Sequence, residues 1–505
     1  MNRNHLIAFV TALSLVLCSV AIVCSDNGAG ADSFVILHTN DAHCHYDDEG
    51  SMGFETLSAL KKEMSKDNVV FTVDAGDNLQ GAAYGLFSKG KSSMEVMDLV
   101  GYDLVIPGNH DFDFGADVMK ERLDGLNCPV ICANLVYEDT KESVFEEYLV
   151  IERGGFKVGF FGLLTTETPV TSMPGNMGNM SVTDPVKAAE HMVQTLKAEN
   201  VDCTVAVGHL GVDPNDYALT SDQVCSRVPG IDIFIDGHSH TEREDGRICD
   251  GSRVLEPSDT VIASTGCYMK NIGVITYTHD KITAKLYRGP FMSDTYAHDV
   301  VAKVHEKYDK EFSEVIGRTT IRLNGDRADV RNKETNLGDF LADIMLDHAG
   351  TQIAIVNGGS IRDSIEPGDI TLLDVYNLFP FLNYVCRLEV KGSDIWAEME
   401  YSLALIGETD GGFIQVSGMT VTYDPDAEKG HRVVSIDIAG SNIDPDAMYE
   451  MATIDFIWRG GDNNRIFVDY EAESVGIVND IFIDHIKDIG TIDDSTISGG
   501  RLVAA

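Results

Sequence analysis

The stretch "HTNDAHCHYDDEG", from His38 to Gly50, is dense in groups that bind metals and accept protons. The whole chain has only 15 histidines, yet three of them, with an aspartate, fall within the eight residues from His38 to His45, directly after the apolar run "FVIL". Imidazole and carboxylate side chains ligate divalent ions and transfer protons. The stretch therefore indicates a metal or acid–base site, provided that other segments supply matching groups.

Four further segments end in the same way. Each is a short apolar run, typical of a strand that is buried on both faces, and is followed by Asp, Asn or His. The polar residues after the five runs are Asp41 and His43; Asp77; Asn109 and His110; His209; and His238 and His240. Because ligands bind at the carboxyl edge of α/β sheets, we expect these side chains to converge there. A single Asp or Asn at such a position usually caps a helix, but capping does not call for histidine.

The mixture of ligand types points to a class of metal. Imidazole and carboxylate together suit ions such as Zn²⁺, Mn²⁺, Fe²⁺ or Ni²⁺. Leaving His110 aside, seven ligand-type side chains exceed what one tetrahedral ion needs. The pattern therefore predicts two ions that share a bridging carboxylate, and their identity stays open.

The elements that would position these groups form an α/β pattern. Apolar runs alternate with helix-like segments from Phe34 to about Thr278, which predicts a layered domain. An amphipathic helix is expected from His298 to Gly317, and a second α+β domain follows it. The predicted organisation is a signal peptide or anchor at 1–24, a linker at 25–32, a first domain at 33–295, a connecting helix at 296–318 and a second domain at 319–505.

The charge balance excludes some partners. The chain has 81 acidic and 38 basic residues, a formal net charge of -43, and 44% hydrophobic residues, which is ordinary for a folded protein. Such a surface repels nucleic-acid polymers and anionic lipid at long range. An anionic small substrate would bind only where local cations overcome that field.

The N-terminus predicts export. One arginine in "MNRNH" precedes an apolar run from Leu6 to Cys24, as in a secretory signal. The run is also long enough to remain as an anchor, so cleavage stays open, and any membrane contact would be through this segment. We predict a secreted, periplasmic or cell-surface location. Export would permit one or two disulfides, with Cys249 and Cys267 as a candidate pair that the sequence does not settle.

Five motifs occur in order along the first half: "TNDAH", "AGDN", "GNHDFD", "GHLG" and "DGHSH". They resemble the calcineurin-like metallophosphatases. The continuation resembles the partner domain of the 5′-nucleotidase family, which includes periplasmic UDP-sugar hydrolases and ecto-5′-nucleotidases; its motifs are "NGGSIRDSIEPGDIT", "LFPFLN", "VKGSDI" and "FIWRGGDNN". The resemblance runs from Phe34 to the end. It implies a four-layer α/β metallophosphatase sandwich followed by an α+β substrate-binding domain.

The resemblance also implies roles for the ligand-type residues. Asp41, His43 and His240 would hold the first ion, and Asn109, His209 and His238 the second, with Asp77 bridging. A water between the ions would attack phosphorus in line. His110 would stabilise the transition state and the leaving oxygen, and Asp113 would orient its ring. His38 and His45 fall on no ligand position of the family: we expect His38 in the core or near the site and His45 in a loop, and we assign Cys44 no role.

The second half would supply specificity. By the resemblance, Phe381 and Phe456 sandwich the base, Asp462 binds the ribose hydroxyls, and Arg331, Asn357 and Arg362 contact the phosphate and sugar. From composition alone, core packing is the ordinary role of two phenylalanines. Ser360, Leu382 and Asn463 depart from the family motifs and leave the base preference open. The hinge for rotation of the two halves is expected between Glu306 and Gly317.

The leading hypothesis is an exported two-metal 5′-nucleotidase that releases phosphate from nucleoside 5′-monophosphates, with UDP-sugars or other nucleotides as further substrates. The alternative with the same chemistry is a 2′,3′-cyclic-nucleotide phosphodiesterase/3′-nucleotidase. A sulfur-compound hydrolase would leave the nucleoside-binding positions without a purpose. A non-catalytic surface binding protein is the alternative from another class, although such a protein would not need every ligand and the His110–Asp113 pair. The sequence leaves the oligomeric state open.

Overall fold

The computed structural model describes residues 21–23, 32–46, 48, 50–171, 175–212, 218–244, 247–248, 260–293 and 295–505. Apart from Ala21–Val23 and residue 32, the predicted signal segment and linker lie outside these residues, as does Cys249. The cysteines that the structure describes, Cys267 among them, are unpaired. Among the described helices, none combines the length and the apolar character needed to cross a membrane.

Two sheets face each other in the first half of the chain. The larger has the strand order Ala21–Val23, Tyr148–Arg153, Phe156–Leu164, Cys203–His209, Ile233–Ile235, Val261–Thr265, Glu242–Glu244 and Arg247–Ile248. The smaller has the order Lys281–Tyr287, Ile272–Thr278, Ser33–Thr39, Val69–Asp74 and Leu104–Val105. Within each sheet, the strands that precede the predicted ligands run parallel to one another, which places their carboxyl ends on one edge.

The strands alternate their side chains between two hydrophobic cores. Phe34 and Ile36 point into the core between the sheets, whereas Val35 and Leu37 pack against outer helices. This alternation gives a four-layer α/β/β/α sandwich. The helices of this half are Gly53–Met64, Ala83–Ser88, Lys91–Val100, Ala116–Asp124, Thr168–Thr171, Pro185–Ala198 and Ser221–Arg227, and a short ribbon pairs Leu135–Tyr137 with Met180–Val182.

The predicted connecting helix differs from the sequence expectation at its end. It spans Thr295–Phe312, and Val315–Thr319 forms a strand instead of continuing the helix to Gly317. The helix buries its apolar stripe against the first half, where the Phe312 ring lies 5.3 Å from that of Tyr84. The β-branched pair in "EVIG" favours the extended backbone that pairs with Gly368–Thr371. The helix thus packs mainly with the first half of the chain, and the chain enters the second half after Phe312.

The second half is α+β, built around a five-stranded mixed sheet. Its order is Ile414–Ser417, Ile353–Asn357, Met448–Ile454, Tyr384–Lys391 and Ala472–Ile477. Two smaller sheets have the orders Gly368–Thr371, Val315–Thr319, Thr491–Ile492 and Ser441–Asn442, Val433–Ile438, Met419–Tyr423, Leu502–Ala504. The helices are Arg327–Val330, Asn336–Ala349, Leu372–Leu378, Gly392–Ala404, Asp455–Trp458 and Val478–Ile489.

Local signals explain where the predicted helices begin and end. Asp184 accepts hydrogen bonds from the backbone of the first turn of Pro185–Ala198, and proline occupies the first helical position. In the second half, the Thr335 side chain caps Asn336–Ala349, which stops at Gly350 with a φ of 64°. That helix leads into the strand Ile353–Asn357, whose end enters the candidate site.

Candidate metal and substrate site

The loops after the five predicted strands converge on one edge of the sandwich. Five of the ligand-type residues there have left-handed backbone angles, which non-glycine residues adopt rarely. They are Asp41 (φ 51°), His43 (φ 47°), Asp77 (φ 62°), His238 (φ 82°) and His240 (φ 53°). Such strain persists only where the surrounding structure enforces it, and it concentrates at functional sites.

One group of ligand atoms is formed by Asp41, His43 and His240. The Nε2 atoms of the two histidines lie 3.1 Å apart. Asp41 Oδ1 is 3.5 Å from His240 Nε2 and 4.0 Å from His43 Nε2. These separations place all three atoms within reach of one ion, as the sequence predicts for the first metal.

A second group surrounds His209. Its Nε2 atom lies 3.1 Å from Asn109 Oδ1 and 3.1 Å from Asp77 Oδ2. His238 joins this group through Asn109, since its Nδ1 atom is 2.8 Å from Asn109 Oδ1. The four side chains are those expected to hold the second ion.

Asp77 lies between the two groups. Its Oδ2 atom is 3.7 Å from His43 Nε2 and 3.1 Å from His209 Nε2. This oxygen is buried and faces the candidate ligand nitrogens without a well-aligned hydrogen bond, whereas Asp41 Oδ2 accepts from Asn40 Nδ2 at 2.6 Å. An unsatisfied buried carboxylate oxygen is costly unless a cation occupies the space beside it. The donor set and this oxygen fit divalent metal ions.

In three of the four candidate ligand histidines, a hydrogen bond on the far side of the ring selects the nitrogen that faces the cluster. His209 Nδ1 donates to the Ala75 carbonyl at 2.7 Å, and His43 Nδ1 donates to the Gln80 carbonyl at 3.0 Å, which leaves both Nε2 atoms as ligands. His238 is reversed: its Nε2 lies 2.6 Å from Glu167 Oε2, so Nδ1 faces Asn109. Sequence reasoning missed Glu167, although it follows the strand Phe156–Leu164 as the other ligands follow theirs.

Charge compensation inside the cluster shows what a cation would replace. Burial disfavours the charge on Asp77, but the nearby histidines outweigh it and hold the pKa of Asp77 well below its usual range. Burial also opposes the charge on His209, yet Asp77 raises the pKa of this ring to about 10. For Asp41, burial raises the pKa to about 7. Bound divalent ions would neutralise the carboxylate charge that protonated histidines neutralise here, and would displace those protons on binding.

Asp111 is a second residue that sequence reasoning missed. Its carboxylate is fully buried and accepts backbone N–H bonds from Asn78 at 2.8 Å, Leu79 at 2.9 Å and Gly108 at 2.7 Å. These bonds tie the loop that carries Asp77 to the loop that carries Asn109. The signal was present in "GNHDFD", but the partners are backbone groups that no residue pattern marks.

The predicted catalytic pair lies beside the cluster. His110 Nδ1 donates to Asp113 Oδ2 at 2.8 Å, and the His110 backbone N–H donates to Asp77 Oδ1 at 2.8 Å. Partial burial acts against a charged His110 ring, but Asp113 and Asp77 together raise its pKa to about 9. The His110 ring lies 5.5 Å from that of His43, and its side chain is 38% exposed. It therefore lies between the ligand cluster and an open cavity.

That open space is a cavity of about 690 Å³ between the two halves of the chain. His110 and Asp113 line it from the first half. All six predicted substrate-binding residues line it from the second half: Arg331, Asn357, Arg362, Phe381, Phe456 and Asp462. The two phenylalanines are each 41% exposed, so they are not core residues.

Contacts among the cavity residues order its polar side. Asn357 Nδ2 donates to Asp462 Oδ2 at 2.9 Å, and the guanidinium of Arg362 lies 4.8 Å from the centre of the Phe381 ring. Ser360, which departs from the family motif, donates its hydroxyl proton to Asn357 Oδ1. Leu382, the second departure, lines the cavity.

The remaining residues of the opening stretch lie outside the ligand groups. His38 is fully buried in its strand, which confirms the core expectation. His45 pairs with Asp48 in the loop after the strand and packs 4.4 Å from the Tyr268 ring. Cys44 is buried and donates to the Asn78 carbonyl at 3.0 Å, and burial raises the pKa of its thiol far above the usual range.

Comparison with known protein families gives one match in each half of the chain. Residues 34–242 match the model of the calcineurin-like phosphoesterases. Residues 315–469 match the model of the 5′-nucleotidase C-terminal domain. The first match contains every predicted metal ligand, and the second contains every predicted substrate-binding residue.

Relatives with similar sequences carry related names. The chain is 29% identical to the trifunctional nucleotide phosphoesterase YfkN of Bacillus subtilis, over 91% of this chain and 34% of that protein, so it spans about a third of this relative. It is 28% identical to a 5′-nucleotidase of Diplobatis ommata, over 93% of this chain and 90% of the relative. It is 25% identical to UshA of Yersinia enterocolitica, over 85% of each.

Solved structures agree with the fold. A 5′-nucleotidase precursor from Thermus thermophilus is 26% identical, with a TM-score of 0.58 over 94% of this chain and 99% of the other. The NAD nucleotidase of Haemophilus influenzae, at 20% identity and a TM-score of 0.61 over 94% of this chain and 99% of the other, shares the fold.

The fold and the site define a metal-dependent phosphoesterase of the calcineurin-like class. Its second half matches the 5′-nucleotidase C-terminal domain, and its relatives include proteins named 5′-nucleotidase.

Proposed function

We propose that this protein is an exported two-metal 5′-nucleotidase that releases orthophosphate from nucleoside 5′-monophosphates. The observation that carries the proposal is the shared cavity. The His110–Asp113 pair, which adjoins the ligand cluster, lines the same space as two exposed phenylalanines and two arginines. A nucleotide needs these parts together, because phosphate is anionic and the base presents flat aromatic faces.

In this proposal the first ion is held by Asp41, His43 and His240, and the second by Asn109, His209 and His238, with Asp77 bridging. When bound, the two ions would activate a water and neutralise charge on the phosphoryl oxygens. The chain itself orients the rings of His43, His209 and His238 through carbonyl and carboxylate partners. Zn²⁺ and Mn²⁺ both suit such a set.

His110 would serve the leaving oxygen. Its Nδ1 atom donates a hydrogen bond to Asp113, which fixes the orientation of the ring. Its Nε2 atom is then available to substrate in the cavity. A proton held on Nε2 can be donated to the ribose 5′-oxygen as the bond to phosphorus breaks. Its backbone bond to Asp77 keeps the ring beside the cluster.

The second half would bind the nucleoside and the phosphate. Phe381 and Phe456 would stack on the base, and Asp462, held by Asn357, would accept hydrogen bonds from the ribose hydroxyls. Arg331 and Arg362 supply the local cations that an anionic substrate needs on a protein with a net charge of -43.

Two further substrate classes, UDP-sugars and 2′,3′-cyclic nucleotides, stay open beside the 5′-monophosphates. YfkN, of which the chain spans about a third, is named a trifunctional nucleotide phosphoesterase. A cavity of about 690 Å³ is large enough for ligands beyond a mononucleotide. UDP-sugars therefore stay among the proposed substrates, and 2′,3′-cyclic nucleotides remain the alternative with the same chemistry.

Phosphate release from AMP, UMP, UDP-glucose and 2′,3′-cyclic AMP tests the proposal. The protein is first dialysed against a chelator, and each substrate is then assayed with added Mn²⁺ or Zn²⁺. We expect the 5′-monophosphates to be hydrolysed fastest and only with metal. A much faster reaction with the cyclic substrate would replace the first assignment with the alternative. No hydrolysis with any divalent ion would favour a non-catalytic binding protein.

Export and domain organisation complete the proposal. The polar start and apolar run at 1–24 support an extracytoplasmic location, and a relative of 27% identity is named a snake venom 5′-nucleotidase. We propose domains at 33–295 and 319–505, joined by 296–318, with movement of the two halves in the stretch that follows Phe312. Mass determination of the protein recovered from culture medium or periplasm would test export and cleavage.

A further inference from the structure

One contact joins the second half of the chain directly to the turn that carries the catalytic pair. The Tyr384 hydroxyl donates a hydrogen bond to the backbone carbonyl of Asp113. The same carbonyl accepts from Asn176 Nδ2 at 2.9 Å, and that nitrogen lies 3.4 Å from the Tyr384 oxygen. A side chain from each half therefore meets on one carbonyl, which belongs to the residue whose carboxylate holds His110.

The second half fixes the position of Tyr384. Tyr384 begins the strand Tyr384–Lys391 and pairs with Ile477 on the neighbouring strand. Its backbone N–H donates to Asp455 Oδ1 at 2.9 Å. Asp455 is also the first residue of the short helix that carries Phe456. The tyrosine hydroxyl is thus linked to the same element as one of the two exposed phenylalanines.

We propose that Tyr384 is a positioning residue that couples the placement of the second half to the orientation of the His110–Asp113 pair. The inference rests on the proposed function of that pair. When the hydroxyl is absent, the Asp113 carbonyl keeps its bond from Asn176 and loses the one that comes from the substrate-binding half. Substrate would still bind, but a smaller fraction of the bound complexes would have His110 correctly placed.

The chemistry of Tyr384 suits this role. Burial raises the pKa of its hydroxyl to about 12, so the group remains a hydrogen-bond donor at neutral pH. Tyr384 also lines the cavity, so direct contact with substrate is the competing explanation. The two explanations differ in which kinetic constant depends on the hydroxyl, and in whether its effect requires the Asp113 carboxylate.

The test compares Tyr384→Phe with wild type in metal-loaded protein, using AMP. Loss of one neutral hydrogen bond predicts a kcat lower by roughly three- to tenfold, with KM within about twofold. In an Asp113→Asn background the same substitution should change kcat by less than about twofold, because the Asp113 carboxylate no longer orients His110. Tyr277→Phe, which removes a 3.1 Å bond to the Asp202 carbonyl within the first half, is the matched control and should leave both constants unchanged.

Several outcomes would overturn the inference. An unchanged kcat in Tyr384→Phe would show that the contact has no kinetic role. A large rise in KM, or an undiminished effect in the Asp113→Asn background, would show that Tyr384 contacts substrate instead. Circular dichroism and the melting temperature of each variant identify a loss of fold, and Tyr384→Trp then provides a second variant that fills the space without donating at the same point. If wild type shows no metal-dependent hydrolysis, the proposed function itself fails, which is a separate result.

Discussion

His110 links the ligand cluster to the cavity, since its backbone bonds to Asp77 and its ring bonds to Asp113. We predict that His110→Asn lowers kcat for AMP by roughly 10²- to 10⁴-fold, the range for loss of a general acid. Metal content should stay the same, because the backbone N–H that contacts Asp77 is retained. Steady-state kinetics and elemental analysis of the purified variant measure the two quantities.

His45 offers a control for that substitution. It is a histidine near the same loop, but it pairs with Asp48 and packs on Tyr268 outside the ligand groups. His45→Asn should retain wild-type turnover. If His110→Asn turns over as fast as this control, His110 has no part in the reaction.

Glu167 is expected to act on the second ion through His238. Its carboxylate lies 2.6 Å from His238 Nε2 and sets which ring nitrogen faces Asn109. We predict that Glu167→Gln weakens metal binding by roughly 10- to 100-fold, as is usual when the partner of a ligating histidine is changed. Titration of the metal-free protein with Mn²⁺ by calorimetry should show one of two binding steps weakened. Two unaltered steps would contradict the assignment.

Sequence patterns indicated the candidate metal ligands more readily than the residues that contact them. Asp41, His43 and the other candidate ligands each follow an apolar run, so their residue types and their positions at strand ends can be read from the sequence. Asp111 and Glu167 act through a backbone loop and a ring nitrogen, so their roles depend on distances that only the folded chain defines.

Glycine allows the loops that carry the ligands to approach closely. A Cβ atom on Gly108 would lie 2.1 Å from Asp77 Oδ1, much closer than any allowed contact. We predict that Gly108→Ala displaces Asp77 and lowers metal affinity by at least tenfold, measured by the same titration. Gly125→Ala, at an exposed helix end with a φ of -77°, is the control and should bind metal normally. Normal binding by Gly108→Ala would contradict the close approach.

The strand Ser33–Thr39 carries a buried histidine that makes the fold sensitive to acid. Burial lowers the pKa of His38 from 6.5 to about 3, and neither ring nitrogen has a hydrogen-bond partner. As pH falls from 6.5 towards 3, the unfolded chain binds a proton that the folded chain does not. The free energy of unfolding therefore falls by about 1.4 kcal/mol per pH unit from this group.

Substitution of His38 tests that sign. Between pH 7 and pH 5, wild type should lose about 2 kcal/mol more unfolding free energy than His38→Leu, which has no proton to bind. Urea unfolding at the two pH values measures the difference. Parallel losses in both proteins would show that His38 is not the acid-sensitive group.

Strand and helix prediction succeeded where the apolar runs were long. Phe156–Leu164 and Cys203–His209 match their runs, whereas the run "DLVIP" gives only Leu104–Val105, because Pro107 cannot donate to a ladder. The connecting helix ended early for a tertiary reason: Val315–Thr319 pairs with strands far along the chain. The β-branched pair Val315 and Ile316 favours a strand locally, but no local pattern marks the distant strands with which it pairs.

At the scale of the whole molecule, the candidate site lies between two halves, and motifs predicted the fold of each half. What the sequence could not supply is how the halves meet, and Tyr384 on Asp113 is an example, since neither residue predicts the other. Arg331, Arg362 and His110 line one cavity, and His110 lies beside the candidate metal cluster. This local positive charge would allow a strongly acidic chain to bind an anion there.

The central claim is that two divalent ions bind side by side at this edge of the sandwich. Anomalous diffraction from crystals grown with Mn²⁺ tests it most directly. We predict two peaks about 3.5–4 Å apart. Asp77 should lie between them, with Asp41, His43 and His240 around one and Asn109, His209 and His238 around the other. A fully loaded crystal with a single peak, or with peaks away from these seven side chains, would contradict the account.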